Sequence, residues 1–181
     1  EALSNFVGGI FIIVGKPFKI GDFVELDAGV AGTVTEITLR HTVIRNAENR
    51  RIIIPNSTVN TSIITNSHIG ESDTCAFVEV GVAYSENLDR CISVMRDEVE
   101  KHPYLEDHRT PAEKENGTDK VMIRVMALGD SAITLRAFAW AKTPAEALAM
   151  KHDLLKAIKE RFDKENIEIP YPYYNHIIKK G

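Results

Sequence analysis

Ala2 to Gly15 reads ALSNFVGGIFIIVG, and Lys16-Pro17-Phe18-Lys19 follows at once. The stretch has no charged side chain, and Leu3, Phe6, Val7, Ile10, Phe11, Ile13 and Val14 recur at helical spacing, which gives one face made almost wholly of hydrocarbon. Fourteen helical residues rise about 21 Å, short of the roughly 30 Å of a bilayer's hydrocarbon core. Alone, the stretch cannot span a membrane. No basic region precedes it, which argues against a secretory leader. A buried core helix is the competing reading. The chain opens on Glu1 and is read as a piece of something longer.

The rest of the chain narrows the choice. Its 181 residues, 44% of them hydrophobic, suffice for one ordinary domain or two small ones. A net charge of −4 argues against a general nucleic-acid binder. Residues 1–70 are balanced in charge, so the acidic excess lies beyond them. Cys75 and Cys91 form no C-x-x-C arrangement and fall in apolar patterns, so they are read as buried free thiols.

After Pro17 the period changes from helical to alternating. Phe23, Val24 and Leu26, then Val34, Ile37 and Leu39, then Thr42–Arg45 and Arg51–Ile54 read as strands, with Val59, Ile63 and Ile64 as a fifth. Asn46–Arg50 is a hairpin connection in which Asn49 takes positive φ. Pro55 ends the fourth strand because it lacks an N–H. Short strands with glycine turns predict a small antiparallel barrel or sandwich. From residue 71 the pattern changes again: a strand at 76–82, a helix at 86–102 with Leu88, Cys91, Ile92, Met95 and Val99 on one face, a polar loop at 103–120, strands at 121–128 and 132–140, and a helix from Thr143 to about Asn166. Thr143-Pro144-Ala145-Glu146 reads as a capping box with proline at the first helical position. That last helix is expected to bury Leu148, Leu155, Ile158 and Phe162. A last strand is expected around Tyr171–Ile178, which gives the order β-α-β-β-α-β of a split βαβ, ferredoxin-like domain. The fold class expected is α+β, with a boundary near 68–73 at Gly70.

Pro17-Phe18-Lys19-Ile20-Gly21-Asp22-Phe23-Val24 resembles the P-F-x-x-G-D/E-x-V signature of small-conductance mechanosensitive (MscS-type) channels. Gly32-Thr33-Val34, Ile37, Arg40, Thr42, Ile44-Arg45, Glu48 and Ile52-Ile53-Ile54-Pro55-Asn56-Ser57 are similar to that family's G-x-V…I…R-x-T…R…IPN-S run. Leu3–Gly9 looks like the lower half of its pore-forming helix, and Ile169-Pro170-Tyr171-Pro172 like its closing motif. The resemblance implies three parts: residues 1–17 as the end of a pore-lining helix, 18–69 as a five-stranded, Sm-like β-barrel, and 70–181 as a ferredoxin-like domain. It further implies a homoheptamer in the bacterial inner membrane, with this region facing the cytoplasm. The channel would open under tension to release ions and small solutes in hypo-osmotic shock. The partners are then copies of the chain itself, membrane lipid at the first helix, and the permeating solutes. The upper, gate-bearing part of the pore helix is not in the sequence. Asn49-Arg50 stands where many members carry glycine.

Under this reading Asn5, Gly8 and Gly9 bend the pore helix, or Gly8-Gly9 is merely a packing notch. Lys16, Pro17 and Lys19 mark the membrane interface, where lysine heads reach water while their stems follow hydrocarbon. Gly21, Asp22, Gly32, Arg40, Arg45, Pro55 and Asn56 are structural residues of the barrel. Arg40, Arg45, Arg50 and Arg51 are read as solvated or inter-subunit ion pairs, not as a nucleic-acid patch. His41, His68, His102, His108, His152 and His176 show no metal-ligand spacing. No nucleophile elbow or phosphate-cradling loop is present, so no enzyme, metal or cofactor is expected. Trp140, in an apolar strand run, is expected in the core. The alternative function is a soluble Sm-like module that binds nucleic acid or senses a ligand.

Overall fold

A computed structural model describes residues 2–67 and 73–172. The chain forms two compact units, 1–72 and 73–181. The first opens with helix α1 (Ala2–Gly15), followed by β1 (Phe23–Leu26), β2 (Val30–Ile37), β3 (His41–Arg45), β4 (Arg51–Pro55), α2 (Asn56–Thr61) and β5 (Ile64–Asn66). The strands pair antiparallel in one sheet ordered β4-β3-β2-β1-β5. Among the described residues its edges β4 and β5 do not pair with each other, so the sheet is open rather than a closed barrel. Its core is Val24, Leu26, Val34, Ile44, Ile54 and Val59, joined by Ile12 from α1 and by Phe18. Each such side chain contributes about 1.5–3 kcal/mol of transfer free energy.

The hairpin between β3 and β4 forms as expected. Asn49 has φ 62°, so asparagine takes the left-handed conformation otherwise given to glycine. The Asn46 side chain secures the turn by accepting the N–H groups of Glu48 (3.1 Å) and Arg50 (2.9 Å). One expectation fails here. Val59 belongs to α2, not to the fifth strand, because Pro55 halts β4 and the next six residues close a helical turn. β5 is left with three residues paired to β1.

The second unit contains β6 (Thr74–Val82), α3 (Leu88–Glu100), α4 (Pro111–Glu115), β7 (Met122–Leu128), β8 (Ile133–Ala141) and α5 (Pro144–Lys164). β8 lies between β6 and β7 and is antiparallel to both, so β6 and β7 run parallel around it. The last expected strand lies mostly outside the described residues; Tyr171 and Pro172 are in neither helix nor strand. α3 is capped by Asn87, whose side chain accepts the N–H of Arg90, and α5 by Thr143, whose hydroxyl accepts the N–H of Glu146. Both helices pack on one sheet face, burying Cys91, Met95, Val99, Met150, Leu154, Ile158 and Phe162 against Val78, Leu135, Ala137 and Ala139.

Four readings of this unit need correction. The buried face of α5 is Ala147, Met150, Leu154, Ile158 and Phe162, while Leu148 and Leu155 are exposed, because apolar residues flank the true stripe on both sides. The polar loop contains α4, started by a capping box between Thr110 and Glu113. Trp140 is half-buried on the outer sheet face, since β8 carries bulky apolar groups on both faces and alternation puts positions 138 and 140 outside. Cys75 shares that outer face and is half-buried; Cys91 alone is fully buried. Burial pushes the Cys75 thiol up to about 11.

Candidate functional site: the junction of the first two helices

The first helix meets α2 and the β2–β3 turn through very small groups. Gly8 and Gly9 are buried inside a continuous α1. A Cβ on Gly9 would stand 2.4 Å from the Leu39 carbonyl oxygen and 2.8 Å from Asn56 Nδ2. One on Gly8 would stand 2.6 Å from Asn60 Nδ2 and 3.1 Å from the Asn56 backbone. Neither position has room for a side chain, so the pair forms a close-packing notch in the structure. A glycine pair inside a helix costs about 1 kcal/mol per residue against alanine, offset here by the close approach.

Asn56 is the fixed point under this notch. It is fully buried, and each of its polar groups is engaged. Its N–H donates to Arg40 O (3.0 Å) and its Nδ2 to Thr38 O (2.9 Å), while its Oδ1 accepts from the buried Thr42 hydroxyl (2.9 Å). Thr38 in turn folds the β2–β3 turn, its hydroxyl accepting the N–H groups of Arg40 (3.2 Å) and His41 (3.0 Å). A buried polar network satisfied this fully sets one geometry. One residue further on, the Ser57 N–H donates to Asn5 Oδ1 on α1 (3.0 Å).

At its far end α1 stops at Lys16, which has φ 47° and donates its N–H to Ile12 O (2.9 Å). Pro17 cannot continue the helix. Asp22 then organises the next turn. Its Oδ2 accepts from the Lys19 N–H (2.9 Å) and from Asn66 Nδ2 (2.8 Å), and Asn66 also holds the Pro17 carbonyl (3.1 Å). Gly21 has φ 99°, a value that favours glycine, and its N–H reaches Val34 O (2.8 Å). Gly32 is required for a different reason: a Cβ there would lie 2.3 Å from the Arg45 carbonyl oxygen across the β2–β3 pair.

The structure thus brings Asn5, Gly8, Gly9, Pro55 and Asn56 into one junction, and Lys16, Pro17, Lys19, Gly21 and Asp22 into a second, adjoining turn. The side chains of Arg40 and Arg45 join neither and make no ion pair among the described residues; Arg50 pairs with Glu48 at 2.9 Å on the surface. Thr38 and Asn60 escaped the sequence reading as site residues, for short polar residues in a turn or a six-residue helix carry no distinctive pattern; Thr42 entered it only through the R-x-T run. What remains outside is apolar. Leu3 (75%), Phe11 (66%) and Val14 (75%) of α1 are exposed. Leu3, Val7 and Phe11 wall a groove of about 660 Å³ floored by Gly8, Ser57 and Asn60. Among the described residues no helix is long and apolar enough to cross a membrane.

This architecture has known counterparts. Residues 1–69 match the family description "Mechanosensitive ion channel, beta-domain", and residues 77–169 match "Mechanosensitive ion channel MscS, C-terminal". The chain belongs to the MscS family of mechanosensitive channels. An MscS family protein of Archaeoglobus fulgidus is 35% identical over 95% of this chain and 56% of its own length. The small-conductance mechanosensitive channel of Edwardsiella ictaluri is 31% identical over 94% of this chain and 55% of its own. The solved closed-state MscS of Helicobacter pylori superposes with a TM-score of 0.84 at 25% identity, covering 99% of this chain and 66% of that one. This MscS-family chain therefore spans little more than half the length of the curated relatives it matches. The family is one of channels, not enzymes.

Proposed function

We propose that this chain is the part of a mechanosensitive channel subunit that holds the lower end of the pore helix and the region facing the cytoplasm. The whole channel opens under membrane tension and releases ions and small solutes in hypo-osmotic shock. It sits in the bacterial inner membrane as a homo-oligomer, a heptamer by the family resemblance. Residues 1–17 end the pore helix, 18–69 form the Sm-like β-domain, and 70–181 form the ferredoxin-like domain. In a ring of copies the unpaired edges β4 and β5 find partners in neighbouring subunits, which closes what the lone sheet leaves open.

One observation carries the reading: α1 sets most of its hydrocarbon outward while its glycines lock it to the β-domain. A soluble monomer gains nothing from such a face. A helix packed among its own copies and lipid gains a great deal. Lys16 and Lys19, exposed where the helix ends, then lie at the lipid headgroups. An apolar constriction above them closes the pore by dewetting.

The test is expression of the full reading frame in a bacterium stripped of its own tension-gated channels. Patch recordings should show currents that rise with suction, and the cells should survive a hypo-osmotic shift. Silent patches with protein present in the membrane, or a purified full-length monomer, would remove the proposal.

A further inference from the structure

The sheet of the second unit has one face covered by α3 and α5 and one turned outward. On the outward face β8 places Phe138 and Trp140, and β7 places Met122, which pairs in register with Phe138. The loop from His108 to Lys120 rises beside them. Together they bound a cleft of about 460 Å³, within the size range of small-molecule sites. The floor is apolar: Phe138, the half-buried Trp140 and the exposed Met122. His108 forms one wall, its ring stacked on Trp140 at 3.8 Å between centroids and tilted by only 15°.

The charges lining the cleft are mostly spoken for. Arg109 grips Asp107 through two parallel bonds (2.8 and 2.9 Å) and donates a third to Thr118 O (2.7 Å). Glu113 accepts from the N–H (2.8 Å) and the hydroxyl (2.7 Å) of Thr110. Asp119 pairs with Arg96 at 2.7 Å. Lys120 is the lining cation that makes no ion pair or hydrogen bond among the described residues. An aromatic floor beside one uncommitted ammonium is complementary to a flat, apolar body bearing one negative charge.

We infer that this cleft binds a small aromatic carboxylate, its ring lying on Phe138 and Met122 and its carboxylate on Lys120. The inference rests on the second unit alone and stands apart from the channel reading.

Trp140 is the single tryptophan of the chain, so its fluorescence reports on this cleft directly. The probe is 4-methylbenzoate, with 4-methylbenzyl alcohol as the neutral ring and acetate as the ringless anion. Saturable, one-to-one quenching is expected with 4-methylbenzoate only. Lys120→Gln should weaken it about tenfold, the worth of one charge-assisted hydrogen bond. Lys120→Arg, which keeps the charge, should retain binding, and Lys151→Gln on α5 should leave it unchanged. Thermal melts confirm that each variant is folded. Non-saturable quenching, equal affinity for the neutral alcohol, or the same loss in Lys120→Arg as in Lys120→Gln would each overturn the inference.

Discussion

Asn5 Oδ1, on the first helix, accepts the backbone N–H of Ser57 at the start of the second, 3.0 Å away and 52 residues on in sequence. The first N–H groups of any helix lack intrahelical partners. α2 is only six residues long, and the residue at its N-cap position, Pro55, makes no side-chain cap bond. A side chain borrowed from α1 therefore does the capping. The position of α1 and the end of β4 are tied by one hydrogen bond.

Replacing Asn5 by alanine removes that acceptor and strands a half-buried donor. The first unit should lose about 1 kcal/mol, the usual worth of a helix cap. Asn5→Asp keeps an acceptor and adds negative charge at a helix N-terminus, so its stability should stay near that of the parent. Urea unfolding of the three proteins checks this; an Asn5→Ala midpoint equal to the parent's would show that the bond contributes nothing.

Gly9→Ala separates two effects of opposite sign. Helix propensity alone gives a gain of about 1 kcal/mol. The new Cβ would instead press on the Leu39 carbonyl oxygen at 2.4 Å, a backbone atom that cannot swing aside. Overpacking of this kind costs about 1–3 kcal/mol, so the variant should melt lower than the parent. Gly8→Ala should be milder, because its nearest neighbour at 2.6 Å is the exposed Asn60 amide, which can rotate away. A Gly9→Ala protein more stable than Gly8→Ala would contradict the notch. Under the proposed channel function, Gly9→Ala in the full-length protein should shift the opening threshold or inactivation, and patch recordings identical to the parent's would remove that role.

Much of this was legible in sequence where the physics is local. Asn49 sits at φ 62° because asparagine tolerates that conformation, and the run Asn46–Arg50 announces the turn. Thr143-Pro144 marks the start of α5. Long-range pairing was not legible. Nothing near Asn5 points to Ser57, and nothing near Asn56 points to Thr38 or Thr42. Val59 misled because a β-branched residue after a proline looks like a resumed strand, whereas six residues are too few to show a helical period. Trp140 misled because an apolar residue in a strand has two faces to choose from, and sequence alone does not say which one the helices cover.

The Asn56–Thr42 pair should behave as a coupled unit. Asn56→Ala leaves the buried Thr42 hydroxyl and the half-buried Thr38 carbonyl without their partner, and the two unsatisfied groups cost about 2–4 kcal/mol at 1–3 kcal/mol for each buried one, softened by relaxation and by water at Thr38. Thr42→Val removes one side of the bond and should cost less. In the double variant the two losses should fall short of additivity by about 0.5–3 kcal/mol, as contacting residues do. Strict additivity in chemical denaturation would mean that the two side chains act independently.

Acid should loosen the His108–Lys120 loop in a defined direction. The Arg109 fork beside Asp107 holds that carboxyl well below the usual carboxylate range, and the Thr110 hydrogen bonds pull Glu113 down as well. A carboxyl whose pKa is lowered by folding stabilises the fold above its unfolded value, and that contribution disappears as the pH falls through its folded value. The unfolded values are about 3.9 for Asp and 4.3 for Glu. The contribution is thus complete near neutrality, and its loss begins only below about pH 4. Both groups face solvent, so added salt should shrink the effect. In Asp107→Asn/Glu113→Gln the melting temperature should lie below the parent's at pH 7, and the gap should narrow on titration to pH 3 at low salt. A gap that stays constant across this range would mean that neither carboxylate is held by the partners seen here.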